Sequence, residues 1–139
     1  MDELRPINVT KLRRINNPKG DILHGLKAIE SDFSTFGEAY FSTINKGDIK
    51  GWKKHLKMDL NLIVPIGNIR FVIYDERQKL FNEEIIGESN YARLHVPAGY
   101  WMAFQGMSEG LNMLLNIASI MHDPVEAESK GLDEINYIW

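Results

Sequence analysis

Apolar and polar residues alternate along most of this chain with the period of two that a half-buried strand requires. In Phe36–Ile44, Phe36, Glu38, Tyr40 and Ser42 fall on one face and Gly37, Ala39, Phe41 and Thr43 on the other. Runs rich in strand formers at Ile49–His55, Leu60–Pro65, Arg70–Asp75, Ile85–Gly87, Ala92–Val96, Trp101–Gly106 and Leu111–Ser119 predict further strands. Asn45-Lys46-Gly47-Asp48 predicts a hairpin loop, Ile66-Gly67-Asn68 a turn and Glu76–Leu80 a polar loop. Ile49–His55 and Leu60–Pro65 read as a central hairpin. Nearer the N-terminus, Val9–Ile15 and Ile22–Ala28 flank Asn16-Asn17-Pro18-Lys19-Gly20, which predicts another. The acidic stretch Pro124–Leu132 has room for one or two helical turns, and Ile135–Trp139 reads as a last apolar strand. Short strands with turn signals about every 8–12 residues predict an all-β barrel or sandwich. There is no internal repeat or linker, so residues 1–139 form a single domain.

Composition narrows the class. The 139 residues are 44% hydrophobic and 25% charged, ordinary for a soluble globular protein with one core. No apolar run approaches a membrane span, and the polar start MDELRP is unlike a secretory signal. The absence of cysteine removes disulfides and thiolate zinc sites and is compatible with a cytoplasmic location. The net charge of −3 is unevenly spread: Met1–Lys57 carries 11 of the 16 Lys and Arg, against 7 of the 19 acids. A basic half favours an anionic partner. The acidic total and the lack of a nucleic-acid motif argue against DNA or RNA, and a phosphorylated small molecule fits better.

Several residues invite chemistry. Alternation puts Lys53, His55 and Lys57 on one strand face, with Trp52 and Lys54 on the other. An imidazole among lysines is either a general base beside an anion site or a surface histidine in a basic loop. Lys53 would either stabilise an enolate oxygen or extend to solvent. Glu38 and Tyr40 point into a pocket if their face lines a lumen; otherwise Glu38 is an exposed edge carboxylate. Tyr100, Trp101 and Phe104 suit stacking on a base or sugar, although alternation separates Trp101 from Tyr100. Lys57, Arg70 and Arg93 are candidate diphosphate ligands. His24 and His95 lack motif context and read as structural. No Gly-rich phosphate loop, catalytic serine order or metalloprotease helix is present.

The spacing of two stretches carries a resemblance. Gly47, five residues, Lys53-Lys54-His55, four residues, Leu60, six residues and Gly67 match the first motif of the cupin barrels; Pro97-Ala98-Gly99, two residues and Met102 match the second. Lys53, Leu60 and Met102 replace three of the four cupin metal ligands, which implies a metal-free site. FGEAYFS (Phe36–Ser42), IKGWKKH (Ile49–His55), FVIYDER (Phe71–Arg77), VPAGYWMAF (Val96–Phe104) and the tail from His122 to Trp139 resemble the dTDP-4-dehydrorhamnose 3,5-epimerases, and more closely a short, divergent branch of them. The resemblance implies a single cupin-type double-sheet β-barrel, or jelly roll, that epimerises a nucleotide-linked 4-keto sugar in surface-polysaccharide synthesis. No cofactor is needed. It places the base at His55 with Lys53 beside it. The family's acid tyrosine has no counterpart here, and His122 is the nearest proton donor in sequence, though Asp123-Pro124 is equally a plain turn start. The family's carboxylate partner to the base falls beyond this chain's end, leaving Glu38 as a candidate replacement. The implied substrate-binding residues are Lys57, Tyr40, Arg70, Arg93 and Trp101. An N-terminal strand at Asn8–Ile15 would join two chains in a homodimer. A ketoisomerase of the same fold and a catalytically silent sugar-nucleotide-binding cupin are the alternatives.

Overall fold

Consecutive strands of this chain mostly switch between two antiparallel sheets, the topology of a jelly roll. The computed structural model describes residues 3–139, so the first two residues of the MDELRP stretch lie outside the described ones. In spatial order the first sheet is β1 (Asn8–Lys11), β9 (Ala92–Val96), β6 (Leu60–Ile66), β11 (Asn112–Ala118) and β4 (Glu38–Ile44). The second is β12 (Ala127–Ser129), β5 (Ile49–His55), β10 (Trp101–Gly106), β7 (Asn68–Asp75) and β8 (Leu80–Gly87). A two-stranded piece, β2 (Arg14–Ile15) with β3 (Ile22–Leu23), stands apart. The all-β architecture expected from the pattern, and the cupin-type double-sheet barrel implied by the resemblance, are the ones observed.

The facing sides of the sheets supply the core. Leu60, Leu62 and Val64 of β6, Ile69, Phe71 and Ile73 of β7, and Ala92, Leu94 and Val96 of β9 are all nearly fully buried, at every second position. Each large side chain buried this way stabilises the fold by roughly 1.5–3 kcal/mol before chain entropy is counted. The turn glycines are needed for their shape. Gly67 has φ +76° and a Cβ there would lie 2.3 Å from Asn112 Oδ1; Gly99, at φ +103°, would meet Leu4 Cδ2 at 2.5 Å.

Both outer faces are partly covered. On the first sheet, buried Arg93 holds the loop after β3 by ion pairs to Glu30 (2.6 Å) and Asp32 (3.2 Å) and by a hydrogen bond to Asn61 Oδ1 (3.1 Å). On the second, Trp52, Val72, Trp101 and Ala103 form a separate cluster with Ile135, against which Tyr137 and Trp139 pack.

Several expected elements differ. β5 and β6 do not pair as a central hairpin: they lie in opposite sheets, and residues 56–59 cross between them. The long N-terminal hairpin shrinks to the two-residue strands β2 and β3, because residues 8–11 pair with β9 instead. The segment expected to reach a second chain thus completes this chain's own sheet. β8 begins at Leu80, earlier than its apolar half, because an edge strand with one solvent side tolerates the polar Asn82, Glu83 and Glu84. Two 3-10 turns, Pro124–Glu126 and Leu132–Glu134, bracket β12, and Ile135–Trp139 forms no strand. Its apolar residues find burial on the aromatic cluster without needing a ladder.

Candidate active site

A cavity of about 310 Å³ opens between the sheets, lined by Tyr40, Lys50, Lys53, His55, Met58, Leu60, Tyr100, Met102, Phe104 and Asn116 among others. The four positions that the cupin spacing marked, Lys53, His55, Leu60 and Met102, converge on this one lumen. They offer one imidazole and a thioether beside a lysine and a leucine, a donor set poorly suited to a divalent ion. Among the described residues no group of three or more His, Cys, Asp or Glu side chains is placed to hold a metal.

His55 ends β5, with its side chain 15% exposed at the cavity wall. Its Nδ1 contacts Glu126 Oε1, and the other carboxylate oxygen accepts the backbone N–H groups of Lys57 and Met58, both at 3.2 Å. The local sequence makes this contact. Asp123 caps the short 3-10 turn by accepting from Val125 N, and Ala127 then pairs with His55 in the sheet, so Glu126 is delivered beneath the imidazole. Burial pushes the Glu126 carboxyl up, but the His55 contact and the two N–H donors outweigh it and hold it below the ordinary carboxylate range. An ionised carboxylate accepting from Nδ1–H fixes the tautomer and leaves Nε2 as the proton acceptor.

Tyr40 of β4 lies in the opposite sheet, and Asn116 Nδ2 donates to its hydroxyl oxygen at 3.0 Å. Burial pushes the phenol up, the Asn116 bond offsets part of this, and nearby Glu38 adds to the rise. Tyr40 is therefore a neutral donor near pH 7. Lys53 forms no ion pair among the described residues, so its ammonium is available to an anion in the lumen.

His55, Lys53 and Tyr40 thus come together; the other expected residues do not. Glu38 accepts the backbone N–H of His122 at 2.9 Å, and neither lines the cavity. The carboxylate partner of His55 is Glu126, not Glu38, which sits at the start of β4 beside the loop after β11. Lys57 is exposed on the crossover, where its backbone rather than its ammonium takes part. Arg70 lies on the outer face of β7 near Tyr137, Arg93 is spent on the loop clasp, and Trp101 faces away from the lumen beneath the Lys54 and Lys130 ammonium groups (5.1 and 4.7 Å). These three occupy outward positions of alternating strands whose inward neighbours fill the core.

The comparisons place this geometry in a family. A model described as FdtA, WxcM-like, C-terminal matches residues 5–128. The chain belongs to the FdtA family. A dTDP sugar isomerase from Desulfovibrio desulfuricans G20 is 30% identical, with a TM-score of 0.91 over 98% of this chain and 92% of that one. QdtA, a sugar 3,4-ketoisomerase from Thermoanaerobacterium thermosaccharolyticum solved with TDP, shares the fold at 18% identity, with a TM-score of 0.76 over 93% and 90% of the two chains. The spore coat polysaccharide biosynthesis protein SpsL of Bacillus subtilis (strain 168) is 24% identical over 142 residues, 96% of this chain and 94% of its own. In this FdtA-family chain, Glu126 and Asn116 escaped the sequence reading. Glu126 lies 71 residues from His55, and nothing local marks it. Asn116 shares its face of β11 with Asn112, Leu114 and Ala118, whereas Met113, Leu115 and Ile117 make the wholly apolar face, so alternation alone would have turned Asn116 to solvent.

Proposed function

We propose that the chain isomerises a dTDP-linked 4-keto hexose destined for polysaccharide, with His55 as base and Lys53 and Tyr40 as oxyanion stabilisers. The single observation behind this reading is an imidazole held by a buried carboxylate, facing a neutral phenol across the lumen. His55 Nε2 removes the proton from C3, alpha to the keto group, and the electron pair moves onto the C4 oxygen to give an enediolate. The Lys53 ammonium and the Tyr40 O–H stabilise that oxygen. Returning the proton to C4, as the C3 hydroxyl proton passes to the C4 oxygen, moves the keto group to C3 and leaves a hydroxyl on C4. The 30% identity to a dTDP sugar isomerase supports this outcome, as does the exclusion of His122 from the cavity. Epimerisation is the second reading, favoured because His55 and Tyr40 come from opposite walls, so a proton removed from one face can return from the other. No metal is called for by this scheme, and elemental analysis of active protein tests that part.

The deciding experiment incubates the protein with TDP-4-keto-6-deoxyglucose in deuterated water and follows the sugar by NMR. A 3-keto product carrying deuterium at C4 is expected. Deuterium at C3 with inversion would favour epimerisation, and binding without any exchange would leave a silent sugar-nucleotide-binding protein. A homodimer joined along the free edge of β1 belongs to the same reading; deleting residues 1–16 and measuring mass by light scattering checks it, and an intact dimer would place the interface elsewhere.

A further inference from the structure

Asn116 is 6% exposed on the lumen face of β11, flanked by Tyr40 on β4 and Leu62 on β6. Its Nδ2 is used on Tyr40, but its Oδ1 is buried with no hydrogen-bond donor from the protein. Buried acceptors without partners are rare because they lose hydration and gain nothing in return. The neighbouring wall, with Leu60, Leu62, Met102 and Phe104, has no side-chain donor to offer. Other orphaned buried atoms lie elsewhere: Trp52, Trp101 and Trp139 Nε1 sit in the aromatic cluster on the outer face, and Arg70 Nε lies on that same face. The Asn116 acceptor is the orphan that belongs to a lumen-facing side chain among the described residues.

The pair presents a definite pattern. Because the Tyr40 oxygen already accepts from Asn116, its O–H is left to donate to whatever enters. Beside that donor stands the unpaired Oδ1 acceptor. An acceptor and a donor on adjacent ligand atoms answer this pair, and a ketone with a hydroxyl on the next carbon has that arrangement. We infer that Tyr40 and Asn116 together recognise an α-hydroxy ketone, with the keto oxygen on the Tyr40 O–H and the neighbouring hydroxyl donating to Asn116 Oδ1. This rests on the proposed entry of a keto sugar into the cavity and adds a specificity residue to it. A buried acceptor left without its donor is a strong device against analogues lacking the hydroxyl. The same contact fixes which hydroxyl lies next to the reacting carbon, so Asn116 reads the substrate while His55 acts on it.

The test is a cycle between protein and ligand, read as binding by calorimetry in the non-turning His55→Asn background. The ligands are TDP-4-keto-6-deoxyglucose, its 3-deoxy counterpart and TDP itself. The parent should bind the 3-deoxy ligand at least about tenfold more weakly, and Asn116→Leu should weaken the hydroxylated ligand by a similar factor. In Asn116→Leu, loss of the hydroxyl should then cost less than about threefold. Asn116→Asp keeps an acceptor for the hydroxyl but loses the Nδ2 donor to Tyr40, so it should still prefer the hydroxylated ligand while binding both keto sugars more weakly than the parent. TDP binding within about threefold of the parent certifies the fold, and Asn116→Ala replaces the leucine variant if that control fails. Equal affinity of the parent for the two keto sugars overturns the inference without any Asn116 variant, and undiminished discrimination in Asn116→Leu does so as well. Deuterium exchange by the wild-type protein in either case leaves the proposed function standing. A wild-type chain that neither binds nor exchanges any keto sugar nucleotide overturns both.

Discussion

At the scale of single residues, the site depends on who holds the histidine. His55→Asn keeps similar size but removes the useful basicity, so turnover and deuterium exchange should fall by about 10²–10⁴-fold, while TDP affinity changes by less than about tenfold, or ~1.4 kcal/mol. Glu126→Gln removes the charge that balances a protonated imidazole and one acceptor for the Lys57 and Met58 N–H groups. Its kcat should drop by about 10²-fold or more with KM little changed, the mark of an interaction made mainly in the transition state. Lys53→Met should instead weaken both binding and turnover, since an ammonium in the lumen acts on ground and transition states alike. Steady-state kinetics and calorimetry on the three variants separate these patterns. The inward placement of His55, Lys53 and Tyr40 was legible in the sequence because strand alternation and the spacing of Gly47, Gly67 and Gly99 fix which side chains face the lumen. Glu126 was not, because a partner 71 residues away is set by the pairing of β12 with β5, which no local pattern announces. Arg70, Arg93 and Trp101 misled for a related reason: their residue types suit a nucleotide, but their place on outward positions was visible only once the sheets were known.

At the scale of elements, the candidate site leans on the tail from the 3-10 turn Pro124–Glu126 onward. β12 is only three residues long and is an edge strand, too short to hold its register by ladder bonds alone. Its continuation supplies the anchor. Ile135 is 5% exposed against Trp52, Val72, Trp101 and Ala103, and Trp139 stacks at a tilt on Trp52 with ring centroids 5.9 Å apart. Ile135→Ala should therefore cost about 2–5 kcal/mol of stability, measured by urea unfolding. Removal of residues 135–139 should lower kcat more than it weakens TDP binding, because the change reaches the lumen through Glu126 and not through the cavity walls. Equal losses in the two would mean that the tail merely stabilises the barrel. The apolar character of this tail was legible; its conformation was not, since five apolar residues serve equally as a strand or as a plug over an aromatic face. The false central hairpin has a similar origin. Turn residues between two strands announce a reversal of direction but not whether the chain returns to the same sheet or crosses to the other.

For the whole molecule, the response to acid follows from groups that the fold binds in one protonation state. The N-terminal segment is tied across the barrel end by Arg5, which clasps Asp59 through two hydrogen bonds of 2.8 and 2.5 Å, while Asp59 also accepts the Ala98 N–H at 2.9 Å. Burial pushes the Asp59 carboxyl up, but Arg5 and the Ala98 N–H outweigh it and leave it below its ordinary range. Burial pushes His95 down, only partly opposed by Asp32 and Asp59, so the fold favours its neutral form. The signs agree. For His95 the unfolded chain binds more protons between the depressed folded value and about 6.5, so its contribution is complete above about pH 6.5 and is lost as pH falls through the folded value. For Asp59 and Glu126 the contribution is complete above about pH 4 and is lost as pH falls through their depressed folded values. Urea midpoints measured from pH 8 down to pH 3 should therefore decline in two stages, a shallow one beginning near pH 6.5 and a steeper one below about pH 4. His95→Gln should remove the first stage. Asp59→Asn should lower stability at pH 7 and flatten the second, because a group that does not titrate cannot link folding to protons. A wild-type profile that is flat from pH 8 to pH 4 would show that the fold does not hold His95 neutral, and an Asp59→Asn profile as steep as the parent's would show that it does not hold Asp59 ionised.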